Sequence, residues 1–213
     1  MNRPGKIVCV GRNYREHAKE LGNDVPAEPL IFLKPPSSVI RDGEPVMLPL
    51  QSKQVEYEGE IGVVIGKMLR RVTASEARGA VAKIVAVNDV TARDLQRSDS
   101  QWTRAKGFDT FCPIGEPANP PAELETLSVV TRVNGVERQR GKGSEMVFSI
   151  PDVLAFISTV MTLEAGDLVL TGTPAGVGTL SPGDEVVVEV LGPASSTGDP
   201  CLSRVSNSVR VEA

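Results

Sequence analysis

Apolar residues along this chain fall mostly in short runs of strand length. "KIVCVG" (6–11), "EIGVVIG" (60–66) and "KIVAVNDVT" (83–91) read as strands. The stretch Ile61 to Ile65 has no polar alternation, the pattern of a strand covered on both faces. "LSVVTRVNGVERQRG" (127–141) sets Asn134-Gly135 between two strand-like runs, which predicts a type I′ hairpin. "DLVLTGTP" (167–174), "DEVVVEVLG" (184–192) and "NSVRVEA" (207–213) add further strands between Gly and Pro turns. Helical signals are fewer. "TASEARGAVAKIVA" (73–86) opens with Thr73 and Glu76 in capping-box spacing. "SIPDVLAFISTVMTL" (149–163) opens with Ser149 and Asp152 and repeats Val153, Leu154, Ile157 and Met161 on one face. A short helix is expected around Tyr14 to Leu21, and "NPPAELETLS" (119–128) reads as an irregular surface connection. The pattern predicts one mostly-β (α+β) domain over residues 1–213, with two or three helices packed on it.

Composition narrows the function classes. At 213 residues and 40% hydrophobic, the chain can bury a substantial core. No apolar run reaches the ~18 residues of a membrane span, and Ile7 to Val10 is too short for a signal peptide core. A net charge of −4 with scattered lysines and arginines argues against nucleic acid as a partner. Cys9, Cys112 and Cys201 make no disulfide framework, so a reducing cytoplasm is the simplest expectation. His17 is the only histidine, which excludes zinc sites built from several imidazoles. A metal here would rely on oxygen ligands, which suit a hard ion.

Three stretches carry candidate chemistry. In "VEYEGEIGVVIG" (55–66), Glu56, Glu58 and Glu60 alternate, so in a strand they share one face. They are either the solvent face of an edge strand or carboxylates converging on a cation. Asp89 follows the apolar run Ile84 to Val87, where a carboxylate is costly unless paired or metal-bound. It also suits a turn, or an N-cap for "VTARDLQ". His17 and Glu20 sit at i and i+3 on the expected helix, as a water-activating pair or as two exposed polar residues. "TGTPAGVG" (171–178) lacks the Lys-Ser/Thr of a P-loop and is either a tight turn or a close backbone approach to a ligand. In "QWTRAKGFDTFCP" (101–113), Lys106 either meets an anionic substrate or is solvated.

Taken in order, "VGRNYREHAKEL", "EPLIFLKPPSSV", "EYEGEIGVVIG", "VNDVTARDLQ", "RAKGFDTFCPIG", "MVFSIPDVLAFIS" and "LTGTPAGVG" resemble segments of the fumarylacetoacetate hydrolase family, closest to its short acylpyruvase branch. The resemblance implies a mixed β-sandwich roll, a homodimer and a divalent ion, usually Mg²⁺, with Mn²⁺ or Ca²⁺ as alternatives. It places the metal ligands on Glu58, Glu60 and Asp89, with Glu56 as a supporting or surface acid. The catalytic His-Glu pair falls on His17 and Glu20. Substrate contacts fall on Arg93, Gln96, Lys106, Thr110 and Thr173, with Lys106 and Gln96 as oxyanion donors. The implied activity is hydrolysis of an acylpyruvate such as fumarylpyruvate. The alternatives on the same site are oxaloacetate decarboxylation or tautomerisation, and isomerisation of a 2-hydroxy-dienedioate. A non-catalytic metal-binding dimer is the reading from a different class. If the acids exist to hold an ion, they are expected to lack basic partners without it.

Overall fold

The computed structural model describes residues 3–194, 196 and 198–212. In chain order it contains β1 (Ile7–Gly11), α1 (Arg15–Glu20), β2 (Leu30–Lys34), β3 (Val39–Ile40), β4 (Val46–Leu48), β5 (Val55–Tyr57), β6 (Gly59–Ile65), α2 (Ala74–Arg78), β7 (Val81–Asn88), β8 (Thr91–Ala92) and α3 (Arg93–Ser98). There follow α4 (Thr103–Gly107), β9 (Cys112–Pro113), β10 (Ser128–Val133), β11 (Val136–Lys142), α5 (Ile150–Val160), β12 (Leu168–Leu170), β13 (Gly178–Thr179), β14 (Glu185–Leu191) and β15 (Cys201–Val211). Strands dominate and the helices are short, as the apolar pattern predicts.

Two five-stranded sheets build the frame, in the orders β2-β1-β12-β6-β7 and β11-β10-β14-β15-β4. The first is mixed: β1 runs parallel to β12, and its other pairings are antiparallel. It is covered on both sides. Val8, Val10, Ile61, Val63, Ile65, Ile84 and Ala86 pack against Val129, Val188, Val190 and Val205 of the second sheet and against Val153, Leu154 and Ile157 of α5. The alternate residues Ile7, Cys9, Val64, Val85, Val87, Leu168 and Leu170 pack the other way, against Cys112 and Ile114. This double burial explains the apolar runs without alternation. It also explains Gly62: a Cβ there would lie 2.5 Å from Val87 Cγ2 and 2.7 Å from Val85 Cγ1.

Local signals and structure agree at several points. Asn134 and Gly135 take φ of 52° and 77°, and join β10 to β11 as a hairpin. Ser149 accepts the Asp152 N–H at the start of α5, and Thr73 and Glu76 form a reciprocal capping box. The helix behind that box differs from expectation. It stops at Arg78, and Val81 onward is strand, because the β-branched run pairs with β6 rather than continuing a helix. Two helices, α3 and α4, have no counterpart in the periodicity, since five or six residues make too few turns to show one. β2 also lies in a stretch without an alternating pattern. The last residue of the predicted final strand, Ala213, lies outside the described residues. Residues 119–128 are irregular, with a 3₁₀ turn at Leu124–Thr126, but Leu124 and Leu127 are buried. No described helix is long and apolar enough to cross a membrane.

Candidate active site

The three alternating glutamates do not lie on one uninterrupted strand. Glu58 falls between β5, which pairs with β8 and β13, and β6, which belongs to the first sheet. The chain changes sheets at this residue. Its N–H donates to Asn88 Oδ1 at 2.9 Å, and the Asp89 N–H donates to the Glu58 carbonyl at 2.8 Å. These bonds set Asp89, just beyond β7, beside the break. Carboxylate oxygens of Glu58, Glu60 and Asp89 lie within 4.8 Å of one another, and all three residues are buried. Asp89 does not cap α3, whose N-cap is Ala92. Glu56 separates from the group: Arg93 Nε reaches it at 2.7 Å and Gln54 at 2.6 Å.

The acids have basic partners, which corrects the expectation of an unpaired cluster. Lys106 Nζ donates to Glu58 at 2.8 Å and to Asp89 at 2.7 Å. Lys34 Nζ donates to the other Asp89 oxygen at 2.6 Å, and Arg93 bridges Glu56 and Glu58. Lys106 is 2% exposed, so the solvated reading fails. Burial raises the Glu58 carboxyl, but Lys106 and Arg93 outweigh it and hold the group well below the usual carboxylate range. Glu60 moves the opposite way: burial, with Asp89 and Glu58 nearby, pushes it well above its ordinary value. Burial lowers Lys106, but Asp89 and Glu58 prevail and raise it. Among the described residues no lysine or arginine pairs with Glu60; its Oε2 accepts only the Gly172 N–H, at 2.6 Å. The donor set is all oxygen, buried, and one positive partner short, which fits a hard divalent cation held by Glu58, Glu60 and Asp89.

The histidine and the glycine-rich loop meet above the acids. His17 on α1 is 4% exposed, with Nδ1 at 3.2 Å from Glu20 Oε2. Glu20 in turn accepts the Gly176 N–H at 3.0 and 3.3 Å. Thr173 of the same loop donates to the Gly59 carbonyl at 2.9 Å. The loop therefore approaches both the metal-type acids and the His-Glu pair through its backbone. Gly176 has φ of 99°, and a Cβ there would overlap the Arg138 carbonyl oxygen.

These residues share a cavity of ≈ 280 Å³. Its lining includes His17, Glu58, Glu60, Asp89, Arg93, Gln96, Lys106 and Thr173. Glu20 is not part of the lining and meets His17 from outside the cavity. Thr110 is not part of the lining; its Oγ1 accepts the Met47 N–H at 2.9 Å, and its φ is 69°. Gln96 accepts from Arg93 at 2.5 Å. Sequence reasoning missed several contributors. Lys34 was legible as a lysine ending the apolar run "LIFL". Gln139 of β11, 1% exposed, accepts the Gly59 N–H at 3.0 Å and donates to Thr173 at 2.8 Å, with no local signal in its strand. Phe32 and Trp102 form one wall, edge to face at 5.3 Å.

Comparison with known proteins agrees with this arrangement. The family model described as fumarylacetoacetate (FAA) hydrolase C-terminal matches residues 6–209. The mitochondrial oxaloacetate decarboxylase of Dictyostelium discoideum is 43% identical over 194 residues, covering 88% of this chain and 89% of the relative. The mitochondrial oxaloacetate tautomerase of Bos taurus is 40% identical over 192 residues, covering 87% of each chain. The structure of fumarylpyruvate hydrolase from Pseudomonas aeruginosa, in complex with Mn²⁺ and pyruvate, superposes with a TM-score of 0.86 at 28% identity. It covers 97% of this chain and 90% of that one. With the strand break that gathers three acids, the mixed sandwich beneath it and a family match spanning nearly every described element, this chain belongs to the fumarylacetoacetate hydrolase family.

Proposed function

We propose that this enzyme acts on oxaloacetate, interconverting its enol and keto forms with a divalent cation, Mg²⁺ or Mn²⁺, held by Glu58, Glu60 and Asp89. The observation that carries this reading is the pair of relatives, at 43% and 40% identity, whose names specify oxaloacetate. Sequence reasoning put acylpyruvate hydrolysis first; these relatives move oxaloacetate ahead of it. The bound ion would supply Lewis acidity toward a 2-oxo acid. The chain's own residues do the rest. Glu20 engages His17 Nδ1, which leaves Nε2 to take a proton from C3 of the substrate and return it to the oxygen on C2. Arg93 and Lys106 keep Glu58 ionised, and the Gln96 amide offers a neutral donor at the cavity wall. Loss of CO₂ from the same substrate leaves the enolate of pyruvate, so decarboxylation would use the same contacts.

Acylpyruvate hydrolysis is the second reading, favoured by the fumarylpyruvate hydrolase neighbour. There His17 Nε2 would take its proton from water instead of carbon. One panel separates the two: enol absorbance decay and CO₂ release from oxaloacetate, and pyruvate release from fumarylpyruvate, each with Mg²⁺ and with Mn²⁺. The proposal expects oxaloacetate to turn over fastest, and His17→Ala to cut that rate by roughly 10²–10⁴-fold, the usual worth of a general base. No acceleration over oxaloacetate with the ion alone would overturn it. The family resemblance also carries the proposal of a homodimer. A monomer by light scattering at micromolar concentration would count against that assembly.

A further inference from the structure

We propose that Arg12 is a specificity residue of the cavity, which binds the second carboxylate of a diacid substrate. The inference rests on the oxaloacetate reading and deepens it. The cations lining the cavity are not equivalent. Arg93 is committed to Glu56, Glu58 and Gln96, and Lys106 to Glu58 and Asp89. Arg97 donates to Gln54, and His17 is engaged by Glu20. Arg12 lines the same cavity, half-buried, and no described residue pairs with its guanidinium. A cation with no protein partner in a concave, partly desolvated site is a place for an anion.

The backbone holds Arg12 there. Its φ is 59°, a left-handed conformation that non-glycine residues seldom adopt without a reason. Its neighbours are fixed on both sides. Gly11 lies under Trp102, where a Cβ would come within 3.2 Å of the indole. Asn13 donates from Nδ2 to the Phe148 carbonyl at 3.1 Å and to the Thr171 carbonyl at 2.8 Å, and its Oδ1 accepts the Phe148 N–H at 2.8 Å. Arg12 is thus a donor fork whose backbone is set between two locked residues. Arg93 and Lys106 already serve the acids, and the 2-oxo acid end belongs beside them. The one cation left over matches the one charge by which oxaloacetate exceeds a simple 2-oxo acid. A planar guanidinium pairs with a carboxylate through two parallel hydrogen bonds, which a methyl group cannot accept.

The test compares oxaloacetate with 2-oxobutyrate, which carries a methyl where oxaloacetate carries its distal carboxylate. Calorimetry on the Mg²⁺-supplemented protein gives both dissociation constants for the wild type, Arg12→Asn and Arg12→Lys. Asparagine removes the charge and tolerates left-handed backbone, and Arg12→Gln serves as a second neutral variant should that one fail to fold. The expected result is a loss of roughly 10–100-fold for oxaloacetate in Arg12→Asn, with 2-oxobutyrate unchanged and Arg12→Lys in between. An equal loss for both ligands, no loss for either, or a wild type that does not prefer the diacid would overturn the proposal. A wild type that prefers the diacid through Arg12 but fails to turn it over would overturn the oxaloacetate reaction and uphold Arg12. Turnover of oxaloacetate with an unchanged binding ratio in Arg12→Asn would do the reverse.

Discussion

Lys34 is 1% exposed, and its ammonium donates two hydrogen bonds, to Asp89 Oδ1 at 2.6 Å and to the Val90 carbonyl at 3.1 Å. A buried charge is tolerated because its partner is buried with it, and removing one partner strands the other. In metal-free protein, Lys34→Met leaves Asp89 with Lys106 as its cationic partner and is expected to lower unfolding free energy by about 1–3 kcal/mol, measured by denaturant titration. Asp89→Asn placed on top of it should recover part of that loss, because it removes the negative charge that Lys34 no longer balances. A double variant no more stable than the single one would show that the cost lies in packing instead. The site acids were legible because spaced glutamates leading into an apolar run, and an aspartate ending another, are costly arrangements with few explanations. Lys34 was not placed with them because its partner lies 55 residues away, a pairing that only strand order creates.

At the scale of elements, the loop following β12 joins parts that sequence reading treated separately. Its Gly172 N–H holds Glu60, its Thr173 hydroxyl holds Gly59, and its Gly176 N–H holds Glu20. One segment thus sets the acids and the His-Glu helix relative to each other. Gly176→Ala is the direct probe, since an alanine at φ of 99° is strained and its Cβ would overlap the Arg138 carbonyl. The expected outcome is withdrawal of the Gly176 N–H from Glu20 and at least a tenfold fall in kcat, on the reasoning that small misplacements of a catalytic group cost up to about 10²-fold. Because His17 is the only histidine, its imidazole NMR signal reports the change without overlap. An unshifted signal with normal kcat would show that the loop does not orient the pair. Sequence reading recognised the loop's glycines and the alternating acids, but not the break at Glu58. Alternation alone predicts a continuous strand. What bends the chain is the divided loyalty of its two halves, β5 to β8 and β13 and β6 to β7 and β12, which is tertiary information.

At the scale of the whole molecule, the site is a charge balance set in a rigid frame. Four buried acids, Glu56, Glu58, Glu60 and Asp89, face three buried cations, Lys34, Arg93 and Lys106, so by formal charge the cluster is one cation short, and Glu60, its carboxyl pushed up by burial and by Asp89 and Glu58, is the acid without one. A dication that binds Glu60 as its carboxylate would bring the cluster to one formal positive charge, which an anionic 2-oxo acid then neutralises. Binding should therefore be ordered, with the ion first and the acid second. Glu60 lies in, and Glu58 and Asp89 directly beside, strands of a sheet buried on both faces, so an ion would meet a preformed set of oxygens rather than create one. It should accordingly stabilise the native state by mass action, by about 2.7 kcal/mol at a hundredfold excess over its dissociation constant. The expected observation is a thermal midpoint that climbs with Mg²⁺ or Mn²⁺ concentration and falls back with EDTA, while the far-UV spectrum at 25 °C stays the same. Asp89→Asn should flatten that climb. Calorimetric binding of oxaloacetate should vanish in EDTA and return on adding the ion. Oxaloacetate that binds equally well in EDTA would mean that Arg12, Arg93 and Lys106 capture the anion without an ion, and the three carboxylates would then need another explanation.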